Sequence, residues 1–204
     1  MLAYASARLL GLVTLLVWSA AAGTSAHRLL SDRWDAVWYA RIAADGYGRT
    51  VRLPDGAVHS DLAFFPLLPW LERLIAAASP LGEGDAGLVV SAVASVAAAW
   101  GLFAVGDLLH GRRAGVALAA LWGVLPVAVV QSMAYSESLF TALAVWSLHA
   151  VLTGRWVRAG ALAALAGLTR PVGMAVVAAV WCGAAAALRR RRAGPGPGGG
   201  GRAA

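Results

Sequence analysis

The chain has few charged residues, no lysine and a single cysteine, and each shortage excludes something. Only 13% of its 204 residues are charged, whereas a soluble domain of this size carries about 25%. An ordinary soluble domain is therefore excluded, because the apolar residues come in long blocks that are typical of membrane proteins. Cys182, the only cysteine, permits no disulfide within the chain.

The 17 basic residues are all arginines, and the formal net charge is +7. Such a balance can indicate nucleic-acid binding, but the arginines are dispersed along the chain. The one dense run, Arg189–Arg192, follows an apolar block. Basic residues in that position set the orientation of a span or contact anionic lipid. We therefore predict a membrane partner and no nucleic acid.

The apolar blocks predict membrane-spanning helices. About 20 mostly apolar residues cross a bilayer core of about 30 Å, and only helix satisfies the backbone of such a segment in lipid. Four blocks have about this length, and a fifth is interrupted at residues 170–171. The blocks are Leu9–Ala26, Leu88–Leu109, Ala114–Val130, Leu139–Thr153 and Ala159–Leu188. We expect an all-α polytopic membrane protein with about 5–6 transmembrane helices.

Two segments allow more than one interpretation. The first block follows Arg8 and could be a cleaved signal peptide, but its length and the later spans favour a retained helix. Leu62–Ala78 contains two prolines, a glutamate and an arginine, which are costly at mid-depth of a bilayer. We predict that Phe64–Pro69 is a bent, interfacial or re-entrant segment that leads into a helix, and a true span is the alternative.

Short basic loops predict the topology. The loops 111–113 and 154–158 should be cytoplasmic, and Arg8 agrees, so 31–61 and 131–138 should face outwards. Under this arrangement Arg189–Arg192 falls outside, which disagrees with the rule. Counting residues 62–78 as a span repairs the tail but moves both basic loops outside.

The sequence predicts one membrane domain and a tail. The domain covers residues 1–188 and includes the outer loop 27–61. Residues 189–204 are rich in arginine and then in glycine and proline. The tail cannot bury a core and is expected to be disordered.

The outer loop has an unusual cluster, SDRWDAVWYARIAADGYG, over residues 31–48. Its apolar residues recur at helical spacing and predict a short amphipathic helix at the membrane interface, which Gly46 would end. The helix would carry Trp34, Val37, Trp38 and Ile42. Asp35 would lie near the membrane surface, where a carboxylate can meet a polar headgroup. The structural interpretation is that Ser31 or Asp32 caps the helix, and with Asp32 as the cap Asp35 is at the third helical position. From this stretch alone the cap is favoured.

Two further clusters carry polar groups among apolar residues. In QSMAYSESLF, residues 131–140, Ser136 resembles a helix N-cap and Glu137 a first-turn acid. In LAGLTRPVG, residues 165–173, Arg170 interrupts an apolar block. Arg170 can bind a lipid phosphate, and the alternative is a snorkelling arginine at a helix break beside Pro171.

Several kinds of site are not predicted. The four histidines show no spacing typical of metal ligands, which argues against a zinc site. We find no glycine-rich phosphate loop and no nucleophile motif of the G-x-S-x-G type.

Four motifs together resemble the N-terminal half of the PIG-V-like mannosyltransferases. They are RWDAVWYARIAADGYG, DLAFFPLLPWL, LPVAVVQSMAYSESLFTALAVWS and LAGLTRPVG, and the similarity covers roughly residues 9–180. That family adds the second mannose during GPI-anchor assembly in eukaryotes and has bacterial relatives. The resemblance implies a multi-pass fold of the GT-C type, in the plasma membrane of a bacterium or the endoplasmic reticulum of a eukaryote.

The resemblance also implies an activity and a site. Such enzymes take sugar from a polyprenyl-phosphate carrier on the non-cytoplasmic face, invert the anomeric centre and pass the sugar to a lipid-linked or glycolipid acceptor. Asp35 would be the catalytic base. Glu137 would orient the acceptor or help to hold a divalent metal, the only cofactor that we consider. The substrate-binding residues would be Trp34, Tyr39, Arg41, Phe65, Tyr135, Glu137 and Arg170.

The chain departs from the family in two respects. Arg170 is followed by Pro171, where the family has Asn after an Arg-Ser pair. Family members are about twice as long, so we expect this chain to be truncated or frame-shifted. The competing interpretations are a non-catalytic membrane scaffold, an inactive fragment and, least favoured, a small transporter, because the predicted helices lack polar residues at their midplanes.

Overall fold

A computed structural model describes residues 1–52 and 54–192. Of the described residues, 77% are helical and 3% lie in strands, which agrees with the all-α prediction. The described α-helices are α1 (Leu2–Ala21), α2 (Ala26–Ser31), α3 (Asp35–Asp45), α4 (Leu67–Ala78), α5 (Glu83–His110), α6 (Arg112–Val124), α7 (Ser136–Leu152), α8 (Trp156–Gly167) and α9 (Gly173–Arg192). The predicted disordered tail began at residue 189, but residues 189–192 are the helical end of α9, and residues 193–204 lie outside the described residues.

Three short elements complete the outline. Strands β1 (Thr50–Arg52) and β2 (Val58–Ser60) form an antiparallel hairpin in which Thr50 lies opposite Ser60. A 3-10 helix, Asp61–Ala63, follows the hairpin, and a second, Ala128–Ser132, lies between α6 and α7. The predicted outer loop is therefore a folded segment that contains α2, α3 and the hairpin.

Three helices are long and apolar enough to cross a membrane. They are Leu2–Ala21, Glu83–His110 and Gly173–Arg190. The helices α7 and α8 are apolar but shorter. The predicted span Ala114–Val130 is not one helix: α6 ends at Val124, two residues before Pro126, because a proline disfavours helical backbone in the residue before it.

The segment from Leu62 to Ala78 forms a turn and a short helix. Pro66 is the N-cap of α4, and Pro69 lies in the first turn of that helix, where a missing N–H costs little. With 12 residues, α4 is about 18 Å long, too short to cross a bilayer core. The structure thus agrees with the predicted bend leading into a helix, although the helix begins already at Leu67.

The first helix is packed into the bundle through its N-terminal half. Tyr4 is buried, and its ring stacks on Trp122 of α6 with centroids 5.4 Å apart. The Tyr4 hydroxyl donates a hydrogen bond to Gln131 Oε1 at 3.3 Å, and Arg8 donates to Ser132. These contacts hold α1 against α6 and the segment that leads into α7.

The helices α5 and α7 run side by side in the same direction. Ser91 Oγ donates to the Tyr135 carbonyl near their starts, and Trp146 Nε1 donates to the Ala97 carbonyl further along. The helix α6 returns against α5 at very short range, since a Cβ placed on Gly106 would lie 2.7 Å from the Gly115 Cα. Small residues allow such close approach between apolar helices.

The last apolar block is two helices, not one span. The break at residues 168–172 turns α9 back along α8, and a Cβ on Gly183 of α9 would lie 3.1 Å from Val151 Cγ1, near the end of α7. Arg189–Arg192 therefore lies at the same end of the bundle as the short basic loops at 112–113 and 155–158. This corrects the expectation that the arginine run lies opposite those loops. We call this end, defined by these three arginine groups, the basic end.

A carboxyl group is buried between α4 and its neighbours. Glu72 is fully buried, and neither of its carboxyl oxygens has a hydrogen-bond partner among the described residues. Gly87 of α5 lets the carboxyl group fit, because a Cβ there would collide with Glu72 Oε1. Burial raises the pKa of Glu72 to about 9, and Glu83 adds to the rise. At neutral pH the group is therefore protonated in the folded chain.

Replacing Glu72 with Gln should stabilise the chain increasingly as pH rises. Above about pH 4.5 the Glu72 carboxyl is ionised in the unfolded chain, whereas in the folded chain it keeps its proton up to about pH 9. Between these two pH values the Glu72 carboxyl therefore lowers the free energy of unfolding, and increasingly so as the pH rises. Melting temperatures of detergent-purified parent and Glu72→Gln chains, compared at pH 5 and pH 8, test this. Asp55→Asn, in the exposed turn, is the control. An equal shift at both pH values would contradict the buried neutral carboxyl.

Candidate active site

The three polar clusters of the sequence meet at the end of the bundle opposite the basic end. One contribution is the start of α3, the second is the segment 131–137 that leads into α7, and the third is the break between α8 and α9. Asp35, Glu137 and Arg170 come from these three segments. We call this region the site end.

The backbone turns sharply just before Asp35. Trp34 has φ 50° and ψ −120°, and it is the only non-glycine residue with positive φ in the described chain. Such a backbone costs on the order of 1–3 kcal/mol and persists only where its surroundings hold it in place. The turn separates α2 from α3 and makes Asp35 the first residue of α3.

The predicted cap of α3 is wrong. Asp32 follows α2 as its C-cap residue, and Trp34 is the N-cap of α3 without a side-chain hydrogen bond. Asp35 is therefore at the first helical position, not the third, and it does not complete a capping box with Asp32. Its carboxylate still lies in the first turn, where the helix dipole favours negative charge. The structural alternative for Asp35 is weakened, because no capping hydrogen bond occupies this carboxylate.

The predicted cap of α7 is also wrong. Tyr135 is the N-cap residue and makes no side-chain cap, while Ser136 is the first helical residue. The Ser136 hydroxyl instead accepts a hydrogen bond from the Tyr39 hydroxyl at 3.0 Å, and both residues are buried. Glu137 is in the first turn, as predicted.

A second tyrosine joins α3 to the same segment. The Tyr135 hydroxyl accepts a hydrogen bond from the Asp35 backbone N–H at 3.4 Å. Tyr39 in turn packs its ring edge-on against Phe64, with centroids 5.1 Å apart, and Trp38 stacks flat on the same ring at 5.5 Å. Aromatic and hydroxyl contacts therefore fix α3 on both sides of Asp35.

Arg170 forms an ion pair with Glu137. The Arg170 Nη1 lies 2.8 Å from Glu137 Oε1, and both side chains are about one-third exposed. The break that carries Arg170 is held by backbone bonds, since the Leu67 N–H donates to the Leu168 carbonyl at 3.0 Å. Thr169 beside it is buried and donates to the Ala166 carbonyl at 2.6 Å. The guanidinium is thus presented from a fixed turn.

The charges at the site end influence one another. Burial raises the pKa of Asp35, and the positive charge of Arg170 partly offsets the rise. Burial also raises the pKa of Tyr39 to about 12; the hydrogen bond with Ser136 opposes this rise, and Glu137 and Asp35 add to it. Arg170 is therefore close enough to act on both carboxylates. A carboxylate with a raised pKa is a stronger base than an ordinary aspartate.

The structure brings together five of the predicted site residues. They are Asp35, Tyr39, Tyr135, Glu137 and Arg170. The other predicted residues lie apart from these contacts. Arg41 is exposed and lines a separate surface hollow with Asp45 and Asp61, and Trp34 is 65% exposed. Phe65 is half-buried, and the ring that stacks on α3 in the described chain belongs to Phe64.

Two contributors to the site were missed in the sequence. Phe64 precedes the predicted Phe65, and nothing in the order of two adjacent phenylalanines says which one faces α3. Ser136 was assigned to a cap, whereas in the structure its hydroxyl accepts from the buried Tyr39 hydroxyl. A polar residue inside an apolar segment was the available signal.

Metal coordination has limited support in the geometry. Within residues 1–52 and 54–192, no three His, Cys, Asp or Glu side chains are grouped so that they could hold a metal ion. Glu137 forms an ion pair with the Arg170 guanidinium, and the charge of Arg170 also acts on Asp35.

Comparison with known proteins gives no relative. No protein-family model, curated protein or solved structure matches this chain.

Replacing Tyr39 with Phe should lower the stability of the chain. The change removes the donor to Ser136 and leaves a buried hydroxyl unpaired, which costs about 1–3 kcal/mol or a few degrees in melting temperature. Thermal unfolding of detergent-purified chains measures the effect. Tyr47→Phe is the matched control, because the Tyr47 hydroxyl donates to the Phe64 carbonyl from an exposed position. Equal melting temperatures for the parent and Tyr39→Phe would contradict the buried pair.

Proposed function

We propose that this chain is an inverting glycosyltransferase that moves mannose from a polyprenyl-phosphate-mannose donor to a lipid-linked or glycolipid acceptor. The observation that carries the proposal is the meeting of Asp35 with the Arg170–Glu137 pair, from three distant segments, at one end of an apolar helical bundle. The mannose, the donor and the acceptor rest on the sequence resemblance.

The reaction needs a base, and Asp35 is suited to that role. In an inverting transfer the acceptor hydroxyl oxygen bonds to the anomeric carbon as the bond from that carbon to the phosphate oxygen breaks. The base takes the hydroxyl proton during the attack. Asp35 is half-buried, has a raised pKa and accepts no capping bond. Its carboxylate can therefore accept a proton from a hydroxyl beside it.

The departing phosphate needs a positive charge, and Arg170 is suited to supply it. The bonding electrons leave with the phosphate oxygen, and a fixed guanidinium stabilises the charge that develops there. Glu137 accepts from Arg170 at 2.8 Å and so orients the guanidinium. Glu137 would also orient the acceptor, as the sequence resemblance implies. It could join Asp35 around a divalent ion, which assays with and without Mn²⁺ would test.

The distribution of arginine supports a non-cytoplasmic site in a multi-pass protein. The basic end gathers the arginines of both short loops and of the tail, and the positive-inside rule assigns such an end to the cytoplasm. At the site end, the five arginines of residues 27–61 are balanced by five aspartates, and Arg170 pairs with Glu137, so these arginines give no such preference. Arg8, which was expected on the cytoplasmic side, donates to Ser132 in the segment 131–137 and is the exception. The site would then face the side on which polyprenyl-phosphate sugars are used by the enzymes that this sequence resembles.

Asp35→Asn should abolish transfer of labelled mannose from polyprenyl-phosphate-mannose into lipid. A positioned base contributes about 10²–10⁴-fold, so the variant should lose at least 100-fold in membranes with matched expression. Asp45→Asn, at the exposed end of the same helix, is the control and should keep the parent rate. Equal rates for Asp35→Asn and the parent would contradict the role of Asp35. A parent chain without transfer would instead support a scaffold or an inactive fragment.

The pH profile of transfer should depend on Arg170. Asp35 must be ionised to act as a base, so the rate should fall on the acid side as Asp35 is protonated, at a pH above the ordinary aspartate pKa. Arg170→Gln removes the charge that lowers this pKa, so its acid limb should move to higher pH. Arg73→Gln, an exposed arginine on α4, should leave the profile unchanged. An acid limb at the same pH in Arg170→Gln and in the parent would contradict the effect of the Arg170 charge on the pKa of Asp35.

A further inference from the structure

An apolar groove runs along the bundle towards the basic end. It starts at Val90, which packs against Tyr39. It is lined by residues of α4, α5, α7 and α8 and has a volume of about 630 Å³. On α7 the lining extends from Leu139 to Ala150, which is about 16 Å along the helix axis. That length matches one leaflet of a bilayer core of about 30 Å.

The groove is open on its outer side. Val93 of α5 lines it and is 67% exposed, and Val89 is 41% exposed. Both side chains would contact lipid if α5 crosses the membrane as its length and composition indicate. The floor contains small residues such as Ala94 and Ala142, which leave room for a chain. Trp146 also lines the groove and links the two helices through its hydrogen bond to the Ala97 carbonyl.

The charged residues that line the groove are confined to the part of it at the basic end. Arg155 and Arg158 line it there, and no acidic residue is among the lining residues in the described part of the chain. Both arginines are exposed, and neither forms an ion pair within residues 1–52 and 54–192. The helix α8 also begins at Trp156 without a side-chain cap, so its first N–H groups add positive potential.

We propose that this groove binds an anionic glycerophospholipid of the leaflet at the basic end. One acyl chain lies in the apolar groove, and the headgroup phosphate is held by Arg155 and Arg158. The charge complementarity selects this occupant: a zwitterionic lipid also presents a phosphate, but its own cationic group offsets that charge, whereas an anionic headgroup brings net negative charge to the two guanidinium groups. A lipid that entered from the site end would place its phosphate at the opposite end, away from these two arginines.

Native mass spectrometry of the detergent-purified chain tests the proposal. The probes are palmitoyl-oleoyl phosphatidylglycerol and palmitoyl-oleoyl phosphatidylcholine, which share acyl chains and differ in headgroup charge. A basic residue near the membrane surface contributes about 1 kcal/mol of attraction, so two should favour the anionic lipid by about 30-fold for the first bound molecule. A parent chain that binds both lipids equally would overturn the proposal.

Substitution of the arginines distinguishes binding at Arg155 and Arg158 from non-specific attraction of the anionic lipid to the other arginines of the basic end. Arg155→Gln/Arg158→Gln should lose the roughly 30-fold preference. Arg112→Gln/Arg113→Gln removes the same charge from exposed positions at the same end but outside the groove, and should retain it. Arg155→Lys/Arg158→Lys should keep most of the preference and show that the site remains folded. Loss of preference in both glutamine variants would reduce the effect to non-specific attraction and overturn the site.

A bulky side chain placed in the groove tests whether the acyl chain of the lipid lies there. Val93→Trp should fill the groove and lower the first binding event for both lipids. Val96→Trp, on the same helix and 52% exposed but outside the lining, should not. Unchanged binding in Val93→Trp would contradict the groove as the chain site. Binding of a polyprenyl phosphate but not of phosphatidylglycerol would assign the groove to the donor tail instead.

Discussion

The structure depends on how the chain accommodates one arginine in its last apolar block. A guanidinium without a counter-charge is costly inside a membrane, and Arg170 lies between two apolar stretches. The chain resolves this by ending α8 at Gly167, turning, and pairing Arg170 with Glu137. The block becomes two helices, the tail returns to the basic end, and the arginine is delivered to the site end.

The same end collects other features that are costly when taken alone. Trp34 has a strained backbone, and the Asp35 carboxylate is partly desolvated. The Tyr39–Ser136 and Tyr135–Asp35 hydrogen bonds hold these features against the start of α7. Strain and perturbed ionisation that occur together are typical of functional sites. In the part of the chain that the structure describes, no ion pair or hydrogen bond between two side chains lies at the basic end. That end offers exposed arginines beside an apolar groove, which suits contact with lipid rather than chemistry.

Elements that follow from periodicity and proline were predictable, and those that follow from local backbone angles were not. The apolar block around α5 and the bend at Phe64–Pro69 that leads into α4 were predicted because length, composition and proline govern them. The end of α6 before Pro126 was not, since Ala114–Val130 was expected to be one span. Both helix caps were assigned wrongly, because the cap position depends on the φ and ψ of residues such as Trp34. The break at residues 168–172 was visible as an interruption, but only the contacts of α9 show that the chain reverses there. The meeting of Asp35 with Arg170 was expected only through the resemblance.

The most direct test of the account is photo-crosslinking from position 35. A benzophenone amino acid in place of the half-buried Asp35 can be introduced into the full chain and irradiated in membranes, and the adducts mapped by mass spectrometry. The account predicts adducts in two distant segments, 131–138 and 165–173, with Asp55, an exposed position in the hairpin turn, as the control site that yields neither. Adducts confined to residues 27–61 or to lipid would contradict the shared site at the centre of the account.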